Sequence, residues 1–175
     1  MKKILSFLLI LIIVFALGAC GCEEGEEVAS ENVVNNVEKA EILLYFADKD
    51  ANLAIERRAV VLESFEKSVV EELIKGPVNK DLSKTINGDV KVVSSIVKDG
   101  ICTIELSKEF EKYNTSGSAG ESIAIYSIVN TLCEAEHINK VQIKIEGKAI
   151  GEYTGHVYID EPLEADPNMV RIQDR

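Results

Sequence analysis

The stretch Val90-Lys91-Val92-Val93-Ser94-Ser95-Ile96-Val97, then Lys98-Asp99-Gly100, then Ile101-Cys102-Thr103-Ile104-Glu105-Leu106 reads as a β-hairpin, because Asp-Gly suits a primed turn between two strands of matching length. Cys102, Ile104 and Leu106 share one face of the second strand, which makes that face apolar and Cys102 a core residue. A hairpin with one apolar face needs a covering layer, and the sequence offers one on each side. Upstream, Ser64 to Lys75 repeats apolar residues at helical spacing, with Phe65, Val69 and Leu73 four apart. Gly76-Pro77 closes that helix, since Gly accepts the left-handed turn and Pro cannot continue one. Downstream, Ser118-Ala119-Gly120-Glu121 has the capping-box pattern and opens a helix predicted to run to about Glu134. Ile125, Ile128, Val129, Leu132 and Cys133 form its apolar stripe.

Further strands flank these elements. Lys140 to Glu146 alternates Val141, Ile143 and Ile145 with polar residues and closes at Gly147-Lys148, the pattern of a half-buried strand. Ala40 to Phe46 reads as a buried strand that ends in the turn Ala47 to Asp50. Leu53 to Leu62 gives another, with Ile55, Ala59 and Val61 on one face and Glu56, Arg58 and Val60 on the other. Glu56 and Arg58 share a face, and the pair is expected to be exposed and to contribute less than about 1 kcal/mol. A last short strand is readable near Val157 to Ile159. The order β-β-α-β-β-α-β predicts a single compact α+β domain with two helices packed on one face of a mixed or antiparallel sheet. Such a domain, over residues 40–160, needs no disulfide for stability. Cys102 and Cys133 both face inward; a disulfide and two reduced thiols are both compatible with that.

Outside the domain the chain changes character. Met1-Lys2-Lys3 is positive, Ile4 to Leu17 is an apolar run broken only by Ser6, and Leu17-Gly18-Ala19-Cys20 follows. This is the layout of a signal peptide over residues 1–19, and its apolar run of about 14 residues is shorter than a membrane-spanning helix needs. Small residues before Cys20 make a lipobox, resembling those of bacterial lipoproteins. That resemblance implies cleavage before Cys20, a diacylglyceryl group on its sulfur, and acyl chains that hold the protein in the lipid bilayer. Cys22 makes a weaker lipobox, having no aliphatic residue at the first position. Residues 20–39 carry Glu23, Glu24, Glu26, Glu27 and Glu31 and read as an acidic flexible linker, extended by its own charge. The cluster lacks the Asp-x-Asp ligand spacing of a calcium site. Residues 161–175 read as a polar C-terminal tail.

The 175 residues carry a formal net charge of -11, and losing Lys2 and Lys3 with the signal peptide leaves the remainder more acidic still. A chain of this charge gains nothing from counterion release on a phosphate backbone, which excludes nucleic acid as a partner. Catalytic and metal-binding chemistry is sparse. There is no Trp and there are 2 His, His137 and His156, in no zinc-ligand pattern. Cys133 and His137 are four apart, but one sits on the apolar stripe and the other past the helix end. Thr115 to Gly120 resembles an anion cradle only loosely: Glu121 would repel an anion there, and capping explains the pattern. Glu109 and Glu111 near Asp99 are the best carboxylates for a wall hydrolase, with nothing to make one an acid and the other a base. The expectation is therefore no catalytic residue, no metal ligand and no cofactor, with Cys20 as the one modified residue.

Leu44-Tyr45-Phe46-Ala47-Asp48, Glu56 and Arg58, Glu72-Leu73 with Gly76-Pro77, Asp99-Gly100 to Leu106, Gly117 to Glu121, Asn130-Thr131-Leu132, and Val141-Gln142-Ile143 to Glu146-Gly147-Lys148 together resemble the GerMN domain of sporulation and spore germination proteins. The resemblance covers about residues 40–160 and lies in the order and spacing of these pieces. It implies an α+β, non-enzymatic domain on the extracytoplasmic face of the cell membrane, commonly in lipoproteins of spore-forming bacteria, with roles in spore envelope assembly or germination. It also implies likeness to ring-building domains of secretion channels, hence contact with an envelope protein or self-association. The founding type carries two such domains and this chain has one. The alternative function, from another class, is a peptidoglycan-binding accessory to cell-wall remodelling enzymes.

Overall fold

The computed structural model describes residues 39–61, 63–112, 118–149 and 160–171, all within the compact unit Val37–Arg175. Cys20, the signal peptide, the acidic linker, His156 and the strand read near Val157 to Ile159 lie outside the described residues. The described elements are β1 (Lys39–Ala47), β2 (Leu53–Val61), α1 (Phe65–Lys75), β3 (Val92–Lys98), β4 (Ile101–Leu106), the short α2 (Glu109–Lys112), α3 (Ser118–Cys133), β5 (Lys140–Ile145) and a single 3-10 turn at Pro167–Met169. The fold is α+β, and each long element falls within a few residues of its expected place.

The turn chemistry explains why. Asp99 and Gly100 take φ of 52° and 77°, the two positive values a primed hairpin turn requires, and β3 pairs antiparallel with β4 around them. Gly76 ends α1 at φ 93° and donates its N–H to the Leu73 carbonyl at 3.0 Å. Ser64 is the N-cap of α1, in extended conformation. At α3 the helix begins at Ser118 as the capping-box pattern predicts, while the cap contacts themselves lie outside the described residues.

The strands form two sheets where one was expected. β1 and β2 pair antiparallel, and a separate mixed sheet has the order β3-β4-β5 with β5 parallel to β4. The physical reason lies along the outer edge of β1. The Tyr45 N–H donates to Thr131 Oγ1 of α3 at 3.1 Å, and Ala47 exchanges both backbone bonds with Ser83 of the loop after α1. A helix side chain and a loop thus take the positions that a strand of the other sheet would fill.

One core joins the two sheets through the helices. α3 packs against β1, α1 and β5, and α1 against β1, β3 and β4. Leu44 and Phe46 of β1, Leu73 of α1, Ile104 and Leu106 of β4, Ile125, Ile128 and Leu132 of α3, and Ile143 of β5 are all buried there. Each such side chain contributes roughly 1.5–3 kcal/mol by leaving water. α3 is therefore covered on nearly all sides, not along one stripe; inside it Ser127 Oγ donates to the Ala124 carbonyl at 3.0 Å, while the buried Glu121 keeps one carboxylate oxygen without a partner among the described residues.

Residues 161–171, part of the stretch 161–175 read as a polar tail, bind both sheets. Leu163 exchanges two backbone bonds of 2.8 Å with Val141 of β5, and the Arg171 N–H donates to the Leu53 carbonyl of β2 at 2.8 Å. Between these points the buried Asn130 side chain of α3 accepts from the Asp166 N–H at 2.9 Å and donates to the Asp166 carbonyl at 3.0 Å. Among the described residues no helix is long and apolar enough to cross a membrane.

Candidate interaction surface

The residues singled out for chemistry fall into structural roles. Asp99 sits in the turn before β4 and Glu109 and Glu111 sit in α2 beyond its other end. At about 3.3 Å per residue the strand alone holds the two groups roughly 17 Å apart, too far for a carboxylate pair flanking one glycosidic bond. His137 Nε2 lies 3.3 Å from Glu66 Oε1 and its ring meets Phe65 edge-on. Cys102 and Cys133 are free thiols; burial, with Glu66 and Cys133 nearby, pushes the Cys102 thiol up to about 12. It is therefore protonated and inert at neutral pH. No cluster of His, Cys, Asp or Glu suited to a metal occurs among the described residues.

The Glu56–Arg58 pair forms, but in a different setting from the one expected. β2 turns Ile55, Ala59 and Val61 outward, and the face with Glu56 and Arg58 inward. The side chains keep only 11% and 14% of their exposure. Arg58 bonds Glu56, donates to Glu72 Oε2 at 2.7 Å and to the Gly76 carbonyl at 2.9 Å, and lies over the Phe46 ring. Glu56 Oε2 accepts from the N–H groups of Val78 and Asn79, both at 2.9 Å. One arginine thus ties β2 to the end of α1, and its glutamate partner ties β2 to the loop beyond. Burial opposes the charge of Glu56, but hydrogen bonds from Asn79, Arg58 and Val78 outweigh it and hold the carboxyl below its usual range.

The outer side of the mixed sheet carries exposed apolar residues. Register places Ser94, Ile96 and Lys98 of β3 beside Ile101, Thr103 and Glu105 of β4, and these beside Lys140, Gln142 and Lys144 of β5. Their neighbours Cys102, Ile104 and Leu106 point the other way and are fully buried. A groove of about 560 Å³ runs over this face, lined by Ile96, Ile101, Thr103, Gln142, Ala149 and Pro162 together with two lysines, Lys98 and Lys144, and two aspartates, Asp99 and Asp160. Ile96 is 65% exposed and Val93, the bulged residue of β3, 57%. Sequence reasoning found the hairpin but not this surface, because which strand ends a sheet depends on pairing between distant segments.

The described residues form an α+β domain of two small sheets around a buried helix, with Val93 and Ile96 exposed on the edge strand β3. The chain belongs to the family described as Germane, sporulation and spore germination, whose model matches residues 43–151. It is similar in fold to the tandem GerMN domains of the sporulation protein GerM from Bacillus subtilis, with 23% identity and a TM-score of 0.61 over 82% of this chain. It spans about half, 51%, of that tandem chain. The first GerMN domain of the same protein gives 24% identity and a TM-score of 0.59, over 71% of this chain and 97% of its own. A crystal structure from Clostridium perfringens, of a chain provisionally assigned as a lipoprotein, gives 26% identity and a TM-score of 0.54, over 79% of this chain and 97% of its own. No curated protein matches the chain. The family is described by sporulation and germination and not by a reaction.

Proposed function

We propose that this chain is a lipoprotein held at the extracytoplasmic face of the cell membrane by acyl chains on Cys20, and that its domain acts without catalysis, through contacts with an envelope protein, in sporulation or spore germination. The match of residues 43–151 to the sporulation and germination family carries the reading. The lipobox before Cys20, the similarity to a chain provisionally assigned as a lipoprotein, and the apolar outer face of the mixed sheet support it. Among the described residues that face presents no aromatic ring for a sugar to stack on, which favours a protein partner over peptidoglycan.

The test is made in the source organism, with Cys20→Ala, a deletion of residues 40–160, and the double variant Glu109→Gln/Glu111→Gln. Cys20→Ala is expected to leave the membrane fraction or keep its unprocessed size. Deleting the domain is expected to lower the yield of heat-resistant spores or slow germination, and the carboxylate variant to behave as wild type. Normal spores from the domain deletion would overturn the reading, and so would a spore defect in the carboxylate variant that matches the deletion.

A further inference from the structure

Residues 161–171 cross the domain without sinking into it. Not one of them is fully buried, and even the apolar Leu163, Met169 and Val170 stay partly exposed. Backbone groups of this strap meet the body at three places. Leu163 exchanges two bonds with Val141, Asp166 exchanges two with the Asn130 side chain, and the Arg171 N–H reaches the Leu53 carbonyl. Between these points a cavity of about 480 Å³ lies between Ala165, Pro167 and Val170 of the strap and Tyr45, Asn130 and Cys133 of the body.

The side chains that hold the strap at its two ends are charged and close to solvent. Lys140 Nζ meets Glu164 at 2.9 Å, with the two side chains 44% and 69% exposed, and the half-exposed Arg171 meets Asp48 at 2.9 Å and Asp50 at 3.2 Å. Ion pairs in such settings hold weakly and are screened by salt. A segment with few buried apolar contacts is one that opens locally while the rest of its domain stays folded. The surface beneath is different. Tyr45, Leu53 and Ile123 form a second buried cluster, roofed by Met169 and Val170. β1 and α3 also pack together through the main core, so they stay joined when the roof lifts, and Asn130 then exchanges Asp166 for water.

We propose that residues 161–171 are a latch that opens as a unit while the domain stays folded, uncovering Tyr45, Leu53, Ile123 and Cys133. An apolar surface hidden in the closed form is thus presented only in the open one. This motion belongs to the domain itself and does not depend on which partner the domain contacts.

Cys133 reports the motion, because the Ala165 N–H of the strap lies against its thiol, whereas Cys102 is sealed in the main core. The full chain in detergent micelles is treated with a small thiol reagent, and labelling at each cysteine is read by mass spectrometry relative to its rate in the urea-unfolded chain. Amide exchange is followed in parallel. On that scale Cys133 is expected to label at least about tenfold faster than Cys102, and the amides of Val141, Asp166 and Arg171 to exchange together, ahead of those of β4. Arg171→Gln should speed Cys133 labelling and exchange at all three amides by about fivefold, the scale of an exposed ion pair. Glu164→Gln at the other end, and high salt, should act in the same direction, with Cys102 unchanged. Equal relative rates for the two cysteines, strap amides that exchange only with global unfolding, or variants that each affect only their own end would overturn the proposal. So would labelling of Cys133 at its unfolded rate without response to either variant, since the thiol would then need no opening.

Discussion

Arg58 is the residue on which most separate parts of the domain meet. Its guanidinium joins two carboxylates and a helix-terminal carbonyl above an aromatic ring, and removing it leaves Glu56 without its cation and Glu72 with Lys75 alone. Arg58→Ala is expected to lower stability by about 2–4 kcal/mol, read from the urea midpoint. Adding Glu56→Gln should recover part of that loss, because it removes one stranded charge. A loss under about 0.5 kcal/mol would mean that the node is solvated after all. None of this was legible in Leu53 to Leu62. Alternation alone gave two faces, and hydropathy pointed Ile55 and Val61 inward as readily as outward. The choice was made by Phe46, Glu72 and Gly76, up to 18 residues away, which offer Arg58 more partners than any position in water-exposed strand would.

At the scale of elements, the turns were the legible part. Asp99-Gly100 and Gly76-Pro77 carry backbone requirements that few other residues meet, so they located the hairpin and the end of α1 from the sequence. Gly100 also shows what the sequence leaves out. Its carbonyl accepts from the N–H groups of Asn139 and Lys140, at 2.8 and 3.2 Å, so the hairpin turn also anchors the start of β5. A Cβ on Gly100, at φ +77°, would come within 2.5 Å of Asn139 Nδ2, whereas one on Gly147, at φ +78°, would meet nothing nearer than 4.0 Å. Gly147→Ala should therefore cost about 1 kcal/mol from backbone strain alone, and Gly100→Ala about 2 kcal/mol or more, since the contact adds to it. Thermal unfolding of the two variants side by side checks the order; equal losses would place the whole cost in the backbone. The pairing of β1 with Ser83 and Thr131, and so the division into two sheets, had no local signal at all. The open surface of β3 shares that origin, which is why the hairpin was readable and its exposure was not.

For the whole molecule, the buried carboxylates set the response to acid. Burial raises the proton affinity of Glu56 and Glu72, but the bonds each receives, including those from Arg58, outweigh it, and both lie below the usual 4.5. Asp48 lies below 3.8, chiefly through backbone bonds from Asn52 and Asp50 with Arg171 adding to them. The unfolded carboxyls take up protons first, so this contribution is complete above about pH 4.5 and is lost as the pH falls through the lower folded values. Urea midpoints should therefore drop between pH 5 and pH 3, and the drop should be shallower in Arg58→Ala. An unchanged acid limb in that variant would assign the effect to other groups.

The stitching of residues 160–171 has a consequence for biogenesis. A chain leaves the ribosome N-terminus first, and in most single domains the early segments gather while later ones are still being made. Here Leu53 waits for Arg171, Val141 for Leu163 and the buried Asn130 for Asp166. Until residues 160–171 are made, Asn130 of α3 lacks its backbone mate and the Leu53 carbonyl of β2 its donor. The domain thus closes only once this segment has emerged, and the elements before it stay unlocked until then.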